Sequence, residues 1–170
     1  VNTTLKKDMP LDKELLDAER DRLTNMLRER GYFNFSKNLI DYYADTTVNT
    51  FPDLVPLFMN ISNAKADSTA FQKYRINDIS INLDYDPLAM IAGADTIYQE
   101  ADYFGFRVMF RGRMKIRPKI ILETIQFERG ELYNVKKIIS SYSRLQALNL
   151  FKFINIVFRE GVNEYGELIL

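Results

Sequence analysis

The chain has 170 residues, with 23 Lys plus Arg against 23 Asp plus Glu, 10 Tyr, 12 Phe, and neither cysteine nor histidine. Zero formal charge removes any global attraction to nucleic acid or anionic lipid, the missing Cys excludes disulfides and thiolate metal sites, and the missing His removes the commonest metal ligand and general base. Hydrophobic residues at 46% and charged ones at 27% match an ordinary globular chain, and no apolar run approaches the ~20 residues of a membrane-spanning helix.

Residues 1–10 are polar and end in Pro10, so they read as a lead-in. Asp12 is a predicted N-cap, with Glu14 placed to suit the positive end of the helix that follows. Leu16, Leu23 and Leu27 share one face of that helix, Arg28 and Arg30 occupy its last turn, and Gly31 ends it at no Cβ penalty for positive φ. The next strand is predicted over Phe33 to Tyr43, and its hairpin partner over Leu54 to Ile61, where Val55, Leu57, Met59 and Ile61 alternate. Pro52 and Pro56 argue for a start near Leu57, because proline removes a ladder donor. Ser62 to Thr69, SNAKADST, is small and polar and reads as a linker.

Beyond it, Ile76, Ile79, Ile81 and Leu83 place a strand over Tyr74 to Tyr85, although the step from 76 to 79 requires a bulge or a late start. Asp86 and Pro87 end it. Asp95 to Ile116 reads as an inserted β-hairpin or long arm. Pro118 then opens a short helix with Ile120, Ile121 and Ile125, interrupted at Gly130. A second helix carries Val135, Ile138, Ile139, Tyr142, Leu145 and Leu148 on one stripe and stops at Asn149, a residue that tolerates the left-handed conformation. Phe151 to Phe158 is β-branched and aromatic, the signature of a strand.

The same helix ending is written twice. Leu27, Gly31, Phe33 and Phe35 match Leu145, Asn149, Phe151 and Phe153 position for position, which implies two small modules strung in line. The second copy also contains F-x-x-G-E-x-Y from Phe127 to Tyr133 and L-x-x-L-x-x-F-K-x-x-x-I-x-F from Leu145 to Phe158. With these motifs the chain resembles the POTRA (polypeptide-transport-associated) domains of outer-membrane β-barrel assembly factors of the BamA and TamA type, whose module is strand, helix, helix, strand, strand. The resemblance implies an α+β chain of tandem modules, each a small mixed three-stranded sheet with two helices on one face. Residues 1–62 would be a partial module whose opening strand and helix lie upstream, 63–73 a linker, and 74–170 a nearly complete module with the hairpin inserted at about 88–116.

The residue types that could carry chemistry are sparse. Arg107, Arg111, Arg113, Lys115 and Arg117 alternate with Val108, Phe110, Met114 and Ile116, so an extended segment would present them on one face. Such a stripe could dock nucleic acid, anionic lipid or an acidic partner, or be the solvated face of an amphipathic strand. Asp84, Asp86 and Asp95 lack the central Gly and distal Glu of a calcium loop, and turn carboxylates of this kind commonly solvate a turn. Ser140, Ser141 and Ser143 have no G-x-S-x-G context and no His base. What remains is the backbone. The resemblance implies that the strand after the second helix, with Lys152, Ile154, Ile156 and Phe158, is a sheet edge that pairs with an incoming extended peptide. The expected function is therefore a non-catalytic, cofactor-free periplasmic region that captures unfolded outer-membrane proteins or accessory subunits and precedes a C-terminal membrane barrel. The alternative is a nucleic-acid or anionic-lipid module using the basic stripe.

Overall fold

The computed structural model describes residues 3–47, 54–62, 69–86, 88 and 97–170. It is a mixed α+β chain with small sheets and few helices, and it divides into two compact units, Val1–Lys73 and Tyr74–Leu170.

In the first unit, α1 spans Lys13–Arg28. Asp12 caps it by accepting a hydrogen bond from the Glu14 amide at 2.8 Å. The helix ends through Gly31 at φ +103°, and the Tyr32 amide reaches back to the Leu27 carbonyl at 3.3 Å. That six-to-one bond satisfies a carbonyl the helix would otherwise leave open. The strand expected over Phe33 to Tyr43 is shorter than its composition suggests. Phe33 and Phe35 donate locally to Gly31 and Tyr32, and Ser36 caps a 3-10 turn at Lys37–Leu39. Only then does β1, Ile40–Ala44, begin. It pairs antiparallel with β2, Leu57–Ile61, which starts where the prolines require.

Phe35, Leu39, Ile40 and Ala70 form the core of this unit, with Leu23, Leu27, Tyr32 and Tyr42 packed against them. Ala70 corrects the linker assignment at its C-terminal end. Thr69 accepts from Asn34 at 2.9 Å, Phe71 packs edge-on to Phe35 at 6.0 Å, and Lys73 lies over the Tyr32 ring. Residues 69–73 thus complete the first core, while 63–68, like Pro52, Pro87 and Asp95, fall outside the described residues. The lead-in is strapped to α1 by Glu19, a buried carboxylate. Its oxygens accept from Arg22 at 2.7 and 2.8 Å, from the Thr3 hydroxyl, and from the Thr4 hydroxyl and amide. The Arg22 guanidinium, then the two threonines, hold this carboxyl far below the usual carboxylate range against the opposing cost of burial.

In the second unit the predicted strand Tyr74 to Tyr85 is split between two sheets. Tyr74–Asn77 runs between two neighbours. On one side Ile76 and Tyr133 donate to Glu131 and Tyr74, and on the other Arg75 and Asn77 donate to Leu168 and Leu170. β3, Ser80–Asn82, then leaves that sheet and pairs in parallel with β5, Phe106–Phe110, which is itself antiparallel to β4, Gln99–Tyr103. The inserted segment is therefore a hairpin at 99–110 built into a three-stranded sheet of order β3-β5-β4, and not a free arm. Phe104 and Gly105 form its turn with φ of +54° and +82°, the paired positive values of a type I′ hairpin.

α2, Pro118–Leu122, is one short piece with proline at its first turn. α3, Val135–Ala147, is capped by Asn134, which accepts from the Lys137 amide. Ser141, fully buried, accepts from the Gln126 amide and donates to the Lys137 carbonyl, both at 2.8 Å, so it ties the α2–α3 connection to α3. Asn149 ends the helix at φ +53°. The chain closes with β6, Gly161–Val162, antiparallel to β7, Leu168–Ile169.

Candidate functional site

The segment leaving α3 is where the expected strand and the observed one part. Phe151 to Glu160 belongs to no strand, and pairing starts only at Gly161. Among the described residues, nothing forms a backbone ladder with Lys152 to Val157. The segment nonetheless keeps strand-like alternation. Ile154, Ile156 and Phe158 are half-buried, whereas Phe153 and Val157 are 66% and 68% exposed. Phe158 is fixed by an edge-on contact with Tyr133 at 5.5 Å, and Glu160 accepts a hydrogen bond from the buried Tyr74 hydroxyl. The run is thus anchored at its C-terminal end, where it enters β6, and at its N-terminal end by α3.

Of the residues expected to form the edge, Ile154, Ile156 and Phe158 turn their side chains toward the protein and Lys152 stays exposed. The outward side chains are the odd-numbered ones, Phe153 and Val157, which sequence reasoning passed over. The signal was available in the period of two, because once the even set is assigned inward the odd set must face solvent.

The basic stripe does not lie on a single strand. Arg107 alone lies on β5, where it pairs with Asp78 at 3.1 Å. After Phe110 the chain bends, with Gly112 at φ +64°, and Arg113, Lys115 and Arg117 lie exposed beyond β5 with Met114 and Ile116 half-buried between them. Arg111 turns back instead, donating from its guanidinium to the Asp84 carbonyl at 2.9 Å and lying over the Tyr98 ring at 5.5 Å. The turn carboxylates have structural work: Asp84 accepts from the Arg111 amide at 2.7 Å and Asp86 from the Leu88 amide.

Two shallow grooves remain. One of about 410 Å³, in the first unit, is lined by Asp17, Arg20, Lys37, Asn38, Ile40 and Asp41; one of about 270 Å³, in the second, includes Asp78, Glu100, Asp102, Arg107 and Arg129. Arg20 pairs with Asp17 in the first and Arg107 with Asp78 in the second. Among the described residues no group of three or more His, Cys, Asp or Glu is placed to hold a metal ion, and no helix is long and apolar enough to cross a membrane.

No family model and no curated protein matches the sequence. Among solved structures, the chain is similar to the crystal structure of Haemophilus influenzae BamA POTRA3-5, with 9% identity and a TM-score of 0.34 over 98% of this chain and 86% of that one. A superposition at that level carries no argument.

Proposed function

We propose that this chain is a non-catalytic protein-binding region of an outer-membrane β-barrel assembly factor, on the periplasmic side of that membrane. It captures extended segments of unfolded clients or accessory subunits by strand addition along Lys152 to Phe158. The carrying observation is that this run alternates half-buried and exposed side chains, is anchored at both ends and, among the described residues, makes no backbone ladder from Lys152 to Val157. Register supplies the direction. In β6, Gly161 is paired with Ile169, and the Asn163 amide bonds the Glu167 carbonyl, so the odd-numbered backbone groups face β7 and the even-numbered ones face away. Continued back along the segment, that alternation aims the N–H and C=O groups of Lys152, Ile154 and Ile156 at an incoming strand. The half-buried side chains of Ile154 and Ile156 meanwhile hold the segment in place. Main-chain bonding of this kind is tolerant of sequence, as a receptor for many different strands requires.

The test is fluorescence anisotropy with a labelled ten-residue peptide of alternating apolar and polar residues, beside the same peptide N-methylated at every second residue. Binding of the first and not the second is expected, with Ile154→Pro weakening it by about tenfold or more, which is ~1.4 kcal/mol. Equal binding of both peptides, or binding unchanged by Ile154→Pro, defeats the reading. Binding that collapses between low and moderate salt and is lost on Arg113→Ala would favour the basic residues instead.

A further inference from the structure

Hydrophobicity alone does not decide how the run from Phe151 to Phe158 is laid down, because both of its alternating sets are apolar. The even set is Lys152, Ile154, Ile156 and Phe158, and the odd set is Phe151, Phe153, Asn155 and Val157. A segment whose two faces are so alike is weakly held in register. From Phe153 onward only the even set is turned in: Ile154, Ile156 and Phe158 are half-buried while Phe153, Asn155 and Val157 are exposed. The choice between the sets is made by residues outside the run.

Two buried tyrosines are placed to make it. The Tyr133 amide donates to the Tyr74 carbonyl at 2.9 Å, and beside them Arg75 bridges Leu132 in antiparallel fashion, so Tyr74 and Tyr133 stand directly opposite each other. Opposed residues send their side chains to the same face, and both of these are buried, at 0% and 2% exposure. The Tyr74 hydroxyl donates to the Glu160 carboxylate, and the Tyr133 ring meets Phe158 edge-on at 5.5 Å. Phe158 and Glu160 continue the even set of Ile154 and Ile156, so holding this pair holds the set. The apolar contact tolerates a slip of one residue, since Val157 in the place of Phe158 is apolar too. The polar contact does not. A slip brings Arg159 or Gly161 to the Tyr74 hydroxyl, and neither has a side-chain acceptor for it. A buried hydroxyl without an acceptor keeps its desolvation cost uncompensated, which penalises the wrong register and not the right one.

We propose that the hydrogen bond from Tyr74 to Glu160 is a register lock for this run, with Glu160 as its positioning residue. It selects which alternating set faces the protein, and hence which backbone N–H and C=O groups are turned outward. The consequence for a client strand rests on the strand-addition reading above; the lock itself does not. With the bond made, a client meets the backbone groups of Lys152, Ile154 and Ile156 in a single register. Without it the two sets compete, and a client meets a mixture of registers.

The chain contains no cysteine, so Phe153→Cys, Ile154→Cys, Ile156→Cys and Val157→Cys, made one at a time, each report a single position through the rate of thiol labelling by iodoacetamide. With Glu160 in place, labelling at 153 and 157 is expected to be at least about fivefold faster than at 154 and 156. Glu160→Ala is expected to bring the four rates within about twofold of one another with circular dichroism unchanged. Glu160→Gln keeps an acceptor for the hydroxyl and is expected to restore the contrast. Tyr74→Phe removes the hydroxyl and leaves the ring, and is expected to act as Glu160→Ala does; the exposed Glu160 decides the matter should Tyr74→Phe unfold. Equal rates with Glu160 in place, a contrast that survives Glu160→Ala, or a loss in Glu160→Gln as large as in Glu160→Ala overturns the lock. The peptide test stays separate. A contrast that collapses in Glu160→Ala, with the alternating peptide bound by neither chain, keeps the lock and defeats strand addition; peptide binding by the wild type, with a contrast indifferent to Glu160, does the reverse.

Discussion

The two helix exits share a sequence and differ in what they do with it. After Gly31 the chain turns on itself within four residues, buries Phe35 to 3% exposure and delivers Leu39 and Ile40 to the same core. After Asn149 the counterpart of Phe35 is Phe153, which is 66% exposed. The difference arises from local hydrogen bonds. Phe33 and Phe35 donate to Gly31 and Tyr32, and Ser36 starts a 3-10 turn, whereas no residue from Phe151 to Val157 has a comparable bond among the described residues. A helix stop can thus recur in both units while the segment beyond it is used once as core and once as a run with no backbone partner among the described residues.

Truncating the paired aromatics breaks this comparison most sharply. Phe35→Ala removes a buried ring from a core of few residues and is expected to cost about 3–5 kcal/mol in denaturant unfolding of the first unit. Phe153→Ala is expected to change stability by less than about 0.5 kcal/mol, as an exposed side chain should, while weakening the alternating peptide. Similar losses of stability at both sites would show that the two exits are alike after all.

The strap on α1 tests the first exit from its other side. Glu19→Gln leaves Arg22 without its carboxylate and is expected to cost about 2–3 kcal/mol near neutral pH. The wild-type carboxyl is depressed on folding from 4.5 to well below the usual range, chiefly by Arg22. Its contribution is therefore fully present above pH 4.5 and is lost as pH falls through the folded value, because the unfolded chain binds the proton first. The gap between wild type and variant, read by urea titrations at stepped pH, is expected to narrow steadily below pH 4.5. A gap independent of pH would mean that Glu19 acts through shape alone.

The parts of this fold that were legible in the sequence are the local ones. Asp12, Gly31, Pro118 and Asn149 each mark a helix boundary because capping is settled within a few residues. The late start of β2 followed from Pro56 in the same way. Partner choice was not legible. Nothing in Ser80–Asn82 announces a parallel pairing with Arg107–Met109, and the break at Asn77 that sends one predicted strand into two sheets depends on both sets of partners. The basic stripe runs off its strand for a reason that was in plain view: Gly112 sits in its middle, and its positive φ bends the chain just past the end of β5. For the candidate edge, the sequence located the segment and its period, but only the register of β6 tells which backbone groups face outward.

The smallest expected effect separates the two stops themselves. Gly31 holds φ +103°, outside the compact left-handed well, and Asn149 holds φ +53°, inside it. Asn can occupy the well at modest cost because its short polar side chain bonds nearby backbone, here weakly to the Ala147 carbonyl at 3.5 Å. Replacing Asn149 by Gly removes the remaining Cβ penalty and is expected to stabilise the second unit by about 0.5–1 kcal/mol. Gly31→Asn forces a Cβ into a conformation beyond that well and is expected to destabilise the first unit by about 1–2 kcal/mol. Two residues that occupy the same slot of a repeated motif would then respond with opposite sign to the exchange of their identities. If both exchanges destabilise equally, the stops are set by the packing of Leu27 and Leu145 and not by the torsion of the residue that follows.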